Sequence, residues 1–164
     1  MVQIRWEGFG GNLIHLQAQL EHLRMESAGR AVLLMDSAGR LLTLVGDAPQ
    51  FDLTTFVSLM AADFCATREL ARLLGEESFH TVYHQGEDTS LYLTQVTEGT
   101  LLAAVFDRET TLGLVRYAVR RALPSLGESI RQGYEDASVN EVRLAEGFQG
   151  EAVGRLDQLF DAPA

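Results

Sequence analysis

The chain has 164 residues, a single cysteine, and 13 basic against 23 acidic residues, which gives a formal net charge of −10. That length suits one domain with a well-buried core and a short appendage. The acidic balance repels phosphate backbones and anionic membrane surfaces, so it argues against nucleic acid as a ligand. A lone cysteine cannot form an internal disulfide, and no apolar run reaches the ~18 residues of a membrane span. We therefore predict a soluble cytoplasmic protein without membrane insertion.

The first half of the chain predicts a helix followed by a hairpin. Residues 12–26 carry leucine at every third or fourth position, the spacing of an amphipathic helix. Residues 31–35 and 41–45 are apolar runs, and between them lies a turn that contains Asp36 and Gly39. Asp supplies local hydrogen bonds and Gly supplies positive φ, so the two runs are predicted to pair as antiparallel strands.

The longest periodic segment, residues 51–76, predicts an amphipathic helix that crosses the sheet. Asp52 or Thr54 is expected to cap its start, and Gly75 is expected to end it. One side of this helix is apolar and is predicted to face the core; it contains Phe56, Leu59, Met60, Phe64, Leu70, Ala71 and Leu74.

The opposite side of the long helix carries small residues and then charged ones: Ser58, Ala61, Ala62, Cys65, Arg68, Glu69, Arg72 and Glu76. Small residues let another backbone approach closely, so one interpretation is a surface for a partner. The other is an exposed, alanine-rich helix chosen for its propensity. Asp63 and Thr67 lie inside the apolar side. Because a buried carboxylate needs hydrogen-bond partners, that side is predicted to be shared between the sheet and a second copy of the helix.

The second half predicts three strands and another helix. Residues 78–84, 90–96 and 101–106 are short β-type runs separated by turns, as in an antiparallel meander. A helix is predicted to begin near Leu112, and Pro124 is expected to kink or interrupt it. One side of that helix gathers the arginines, Arg116, Arg120 and Arg121. They either neutralise acids of a partner or form a solvated face with intramolecular acidic neighbours.

The C-terminal part predicts a polar linker and a short apolar segment. Residues 134–150 are polar and glycine-containing, and Leu156, Leu159 and Phe160 then recur at one-turn intervals. This segment is either a helix folded back on its own domain or a docking peptide. We therefore divide the chain into a domain at residues 1–135 and a linker with a docking or fold-back helix at residues 136–164.

No pattern in the sequence predicts enzyme chemistry. There is no G-x-S-x-G motif, and Cys65 has no recognisable base near it in the sequence. His80 and His84 lie on a predicted strand, where residues four apart are separated by about 13 Å, too far to chelate one ion. We therefore expect no catalytic residues, no metal and no cofactor.

Several short strings of residues, in their order along the chain, carry a family resemblance. They are residues 71–76 (ARLLGE), His84 with Gly86, Ser90-Leu91-Tyr92, Val105-Phe106-Asp107, residues 111–116 (TLGLVR), and Asp157-Gln158-Leu159-Phe160 in the tail. Together with the order helix, strand, strand, long helix, three strands, helix, they resemble the Roadblock (dynein light-chain-like) family, in its bacterial MglB-like branch. The resemblance covers residues 32–123 and reappears in the tail.

The resemblance implies a fold and a partner. The fold is α/β of the α+β type, ordered α-β-β-α-β-β-β-α, with a five-stranded antiparallel sheet between the long helix and the two other helices. It implies a homodimer in which the third strands pair and the long helices pack together. It also implies binding to a small Ras-like GTPase, MglA-like, whose GTP hydrolysis is promoted by reshaping of its switch loops without an arginine finger, in cell polarity or motility.

The GTPase-binding residues that the resemblance implies lie on the outer side of the long helix and in the tail: Ala61, Ala62, Cys65, Arg68, Glu69, Arg72, Leu156, Leu159 and Phe160. Glu69 departs from the pattern, because members of the branch carry a small residue there. That departure predicts either a GTPase with a complementary basic patch or a paralogue without the activity. Arg72, three residues on, can draw the Glu69 side chain aside.

A second hypothesis is a structural adaptor, a Roadblock dimer that scaffolds other proteins without altering any GTPase. A third, a small-molecule sensor, has less support because no convergent polar pocket residues stand out in the sequence. Dependence of binding on the partner's nucleotide state separates the first two hypotheses.

Overall fold

The structure is a computed structural model that describes residues 10–47 and 51–160, with the side chains of residues 12–47 and 51–137. Three helices and five strands follow one another in the predicted order. The elements are α1 (Gly10–Glu26), β1 (Ala31–Asp36), β2 (Leu41–Gly46), α2 (Leu53–Leu73), β3 (Thr81–Gln85), β4 (Thr89–Thr97), β5 (Thr100–Asp107) and α3 (Leu112–Phe160). No helix in these described ranges combines the length and apolar character needed to cross a membrane.

The five strands form one antiparallel sheet in the order β2-β1-β5-β4-β3. The central strand β5 is the nearly continuous apolar run LLAAVF, and it is buried almost throughout. Such a run is typical of a strand covered on both faces, as predicted. The hairpin strand β2 and the meander strand β3 are left at the two edges of the sheet.

Two apolar cores lie on opposite faces of the sheet, because successive side chains of a strand alternate between the faces. On one face, Leu34, Leu102 and Phe106 pack with α1 and α3. On the other face, Leu33 and Ala103 pack with α2. The sheet therefore lies between the long helix α2 and the pair α1 and α3, and the predicted fold class is confirmed.

The ends of α2 are fixed by the capping residues that the sequence predicts. Asp52 is the N-cap, and its Oδ1 accepts a hydrogen bond from the backbone N–H of Thr54 at 3.0 Å. The Thr55 hydroxyl also donates to this carboxylate, and it lowers the pKa of Asp52. At the other end Gly75 has a φ of 78°. Its N–H and that of Glu76 bond back to carbonyls in the last turn, as in a Schellman motif.

The orientation of α2 differs from the prediction in part. Met60 and Phe64 are buried as expected, but Leu59 and Leu70 are 63% and 55% exposed, and Leu74 is exposed as well. Ala61, predicted on the outer side, is buried on the sheet. The apolar arc of this helix is wider than the sheet can cover. Val57, Met60, Ala61 and Phe64 take the positions against the sheet, while leucines are left on the flank.

Helix α3 continues where the sequence predicts an interruption and a polar linker. It passes through Pro124 and is assigned as one helix to Phe160. Pro124 and Arg120 are exposed, so water can hydrogen-bond the Arg120 carbonyl that loses its intrahelical partner. Once a helix is nucleated, each further residue adds a hydrogen bond at little cost, which allows the polar residues to continue it. The division of the chain at residue 135 stays a prediction.

Candidate interaction surface

Strand β3 is an open edge of the sheet. It pairs with β4, and most of its side chains are exposed. Just beyond its end, the N–H of Gly86 donates to the carbonyl of Thr89 on β4 at 2.9 Å. Because hydrogen bonding alternates along an antiparallel strand, the even-numbered residues face β4 and the odd-numbered ones, such as Tyr83, direct their backbone groups outward. An edge of this kind can pair with the strand of another chain.

Helix α2 lies beside this edge, and a polar contact joins the two. The His84 ring Nε2 lies 2.7 Å from Oδ2 of Asp63. This contact gives a hydrogen-bond partner to the Asp63 carboxylate, which interrupts the apolar side of α2. The Asp63 side chain is 38% exposed, so it is not the buried carboxylate that the sequence pattern predicts. The sequence identifies Asp63 as anomalous but gives no sign that His84, twenty-one residues away, is its partner.

A set of apolar side chains lies on the same flank of α2 as Asp63. Leu59 lies four residues before Asp63, Ala66 three residues after it and Leu70 seven residues after it. All three are therefore one or two turns from Asp63 on the helix surface. Leu73 extends the set and is 83% exposed. We call Leu59, Ala66, Leu70 and Leu73 the leucine flank. The Asp63–His84 contact places this flank on the side of α2 that carries the open edge of β3. Exposed apolar side chains grouped in this way are typical of an interaction site.

The outer side of α2 holds the small residues that the sequence singles out. Ala62, Cys65 and Glu69 are exposed and lie one turn apart, and we call them the small strip. Glu69 accepts a hydrogen bond from Nη1 of Arg72 at 2.6 Å, so the predicted local partner draws its carboxylate along the helix. Arg68 is exposed next to the strip.

The predicted site residues are brought together only in part. Ala62, Cys65, Arg68, Glu69 and Arg72 are all exposed on α2. Ala61 is 4% exposed and packs in the core between α2 and the sheet, so its predicted place on an accessible contact surface is wrong. The tail residues are part of the helical backbone of α3, and their side chains lie outside the described residues: Leu156, Leu159 and Phe160.

An apolar recess that the sequence does not reveal opens between α2 and the β3–β4 end of the sheet. Its volume is about 350 Å³, and its lining includes Phe51, Phe56, His84 and Leu91. The Phe51 and Phe56 rings lie 4.8 Å apart between centroids, and Phe51 is 54% exposed. Phe56, predicted to face the core, is half-buried: it packs against the core between α2 and the sheet and also lines this recess. The recess lies next to the His84–Asp63 contact and could accept an apolar side chain of a partner.

Among the described side chains, no group of three or more His, Cys, Asp and Glu residues is arranged to hold a metal ion. Cys65 is exposed and is a free thiol. The surface therefore offers shape, an open strand edge and apolar area, which are the properties of a protein-binding surface.

Comparisons with known proteins agree with the observed fold. The family model of the Roadblock/LC7 domain matches residues 17–106. MglB of Myxococcus xanthus is 32% identical with a TM-score of 0.68, over 72% of this chain and 96% of that one. The gliding protein MglB of Thermus thermophilus is 34% identical with a TM-score of 0.66, over 74% and 90% of the two chains. An MglB solved in a tetrameric arrangement is 34% identical with a TM-score of 0.70, over 74% and 92%.

The family match and the shared fold give one conclusion: the chain belongs to the Roadblock/LC7 family. Within that family it is similar to MglB, at about one third identity over nearly the full length of the MglB chains. A comparison with curated proteins gives no significant match.

Proposed function

We propose that this protein is a cytoplasmic, homodimeric regulator of a small Ras-like GTPase, MglA-like, and that it promotes GTP hydrolysis by reshaping the switch loops of that GTPase. It is not itself an enzyme in this proposal and supplies no arginine finger. The observation that carries the proposal is the exposed small strip of α2, next to a leucine flank and an open strand edge, in a chain similar to MglB. Cell polarity or motility is the proposed process.

The leucine flank and the edge of β3 support the homodimer. Pairing of two β3 strands about a two-fold axis would satisfy the outward backbone groups of both chains, and it would bring the two α2 helices side by side. The leucine flank lies on the β3 side of α2, because it shares a flank with Asp63 and Asp63 contacts His84. A dimer of this form buries apolar side chains that one chain leaves in water.

The small strip supports binding of the GTPase. Ala62 and Cys65 offer little steric obstruction, so a switch loop of the partner can approach the backbone of α2. Glu69 adds a carboxylate to this surface, and its contact with Arg72 leaves both charges exposed. We propose that the partner carries a basic group opposite Glu69, which gives selectivity among related GTPases by charge complementarity.

Ala62→Arg tests the site. Affinity for the MglA-like GTPase is measured by titration calorimetry with the GTPase loaded with GDP or with a non-hydrolysable GTP analogue. We expect tighter binding of one nucleotide state and loss of that binding in the variant, because the arginine side chain occupies the space that the partner needs. Ala18→Arg is the matched control, since Ala18 is an exposed helical alanine on α1, beyond the opposite face of the sheet. Equal affinities of the wild type and the Ala62→Arg variant would remove the small strip from the interface.

The second candidate function is a scaffold dimer that binds other proteins without changing GTP hydrolysis. It is favoured by Glu69, because an exposed charge stands in a strip where the MglB-like pattern implies a small residue. Equal affinity for the two nucleotide states would support the scaffold, since regulation requires a difference between them.

A further inference from the structure

The outer face of α3 carries positive charge, although the chain as a whole is acidic. Residues 110–127 contain three arginines and no Asp or Glu, although the whole chain has a net charge of −10. Arg116 and Arg120 are exposed and lie one turn apart, at positions i and i+4. We call Arg116, Tyr117 and Arg120 the arginine face.

Unlike most arginines in the described part of the chain, Arg116 and Arg120 form no ion pair with a described acidic side chain. Ion pairs are formed by Arg24, Arg30, Arg40, Arg72, Arg108, Arg121 and Arg131. Among the arginines whose side chains are described, Arg68, Arg116 and Arg120 form none. Like charges at i and i+4 weaken a helix. Arg116 and Arg120 are therefore an unfavourable pair of cations that no acidic side chain within residues 12–47 and 51–137 neutralises by an ion pair.

An exposed aromatic side chain accompanies these charges. Tyr117 is three residues before Arg120, on the same side of the helix, and is 58% exposed. The Arg121 guanidinium lies 5.6 Å from the centre of the Tyr117 ring, and Arg121 is held in turn by an ion pair with Glu26 of α1. Tyr117 is thus supported in an exposed position before any partner arrives. Tyr and Arg are among the residue types that contribute most of the binding free energy at protein interfaces.

We propose that the arginine face binds an acidic segment of another protein, with carboxylates on Arg116 and Arg120 and an apolar side chain against Tyr117. Arginine can hold a carboxylate through two parallel hydrogen bonds, which gives direction as well as charge. A long polyanion or an anionic membrane would also meet the acidic remainder of this protein, whereas a short acidic segment meets only the local cations. α3 and α2 lie on opposite faces of the sheet, so the acidic partner and the GTPase can be bound at the same time.

The binding test uses a short fluorescein-labelled peptide of glutamate and tyrosine as the probe and fluorescence anisotropy at low ionic strength as the readout. We expect the Arg116→Glu/Arg120→Glu variant to lose affinity by about tenfold or more. Arg131→Glu is the matched control, because Arg131 is an exposed arginine of α3 that already has Glu128 as its partner. The control should bind as the wild type does. Absence of binding to the wild type, an equal loss in the control, or tighter binding to phosphatidylglycerol vesicles than to the peptide would overturn the proposal.

A stability measurement separates recognition from a role in folding. We expect Arg116→Gln/Arg120→Gln to melt at the same temperature as the wild type or higher, because the change removes a repulsion and breaks no ion pair. A lower melting temperature would show that the two arginines serve the fold and would overturn the proposal. Affinity for the MglA-like GTPase should be unchanged in the Arg116→Glu/Arg120→Glu variant. The proposals for the arginine face and for the small strip can therefore be refuted independently.

Discussion

Helices α2 and α3 both pack an apolar side on the sheet, but their outer sides differ in composition. The outer side of α2 combines exposed leucines with small residues such as Ala62, whereas that of α3 presents arginines beside Tyr117. Small and apolar side chains favour close packing of one helix on another protein, and arginine with tyrosine favours recognition of charge. The same fold thus offers two surfaces with different chemistry on opposite faces of one sheet.

The largest effect is expected from placing charge on the leucine flank. Leu59→Glu/Leu70→Glu should dissociate the proposed dimer, because burial of unpaired carboxylates between two helices is costly. Sedimentation equilibrium should then give the 18.1 kDa of one chain where the wild type gives twice that mass. Leu114→Glu on α3 is the control, since Leu114 is an exposed leucine outside the proposed dimer interface, and it should leave the mass unchanged. If the Leu59→Glu/Leu70→Glu variant and the wild type have equal mass, the leucine flank does not mediate a dimer, and α2 and α3 do not differ in this property.

The second effect concerns the C-terminal part of α3. Ala137 packs against the core, and the continuous helix carries residue 151 about 21 Å further along its axis. We therefore expect deletion of the residues after Gly150 to weaken GTPase binding without lowering the melting temperature. Calorimetric titration and thermal melting measure the two quantities. A lower melting temperature at unchanged affinity would instead assign the tail to the folded domain.

The smallest effect is expected at the contact between Asp63 and His84. Both side chains are partly exposed, so their coupling should be modest, about 0.2–1 kcal/mol, in a double-mutant cycle of Asp63→Asn and His84→Ala. Chemical denaturation of the four proteins gives this value. Additive losses, with no coupling, would show that the contact does not hold β3 against α2. The placement of the leucine flank beside the strand edge would then lose the support of this contact.

Much of the fold is predictable from local patterns. The order of elements follows from periodicity, and the caps of α2 follow from Asp52 and Gly75, because these features depend on neighbours in sequence. The rotation of α2 is less predictable. The sequence places Leu59 in the core and Ala61 outside, and the structure has the opposite, since the width and position of the sheet decide which part of a broad apolar arc is covered.

The candidate site is predictable only where it depends on one helix. The exposed positions of Ala62 and Cys65 follow from the periodicity of α2. The partner of Asp63 does not, because His84 reaches it only after β3 has added to the edge of the sheet. The recess between Phe51, Phe56 and Leu91 likewise requires three elements to meet. Pro124 and the polar residues after it predict an end to α3, yet helix propagation continues through them.

The central claim is that the outer side of α2 regulates a GTPase, and single-turnover GTP hydrolysis tests it most directly. The MglA-like GTPase is loaded with GTP, and its hydrolysis rate is measured with increasing amounts of this protein, of the Ala62→Arg variant and of the Ala18→Arg control. We predict that the wild type and the control raise the rate and that Ala62→Arg does not. A rate that stays unchanged with the wild type, while binding is still observed, would contradict the claim and leave the scaffold function.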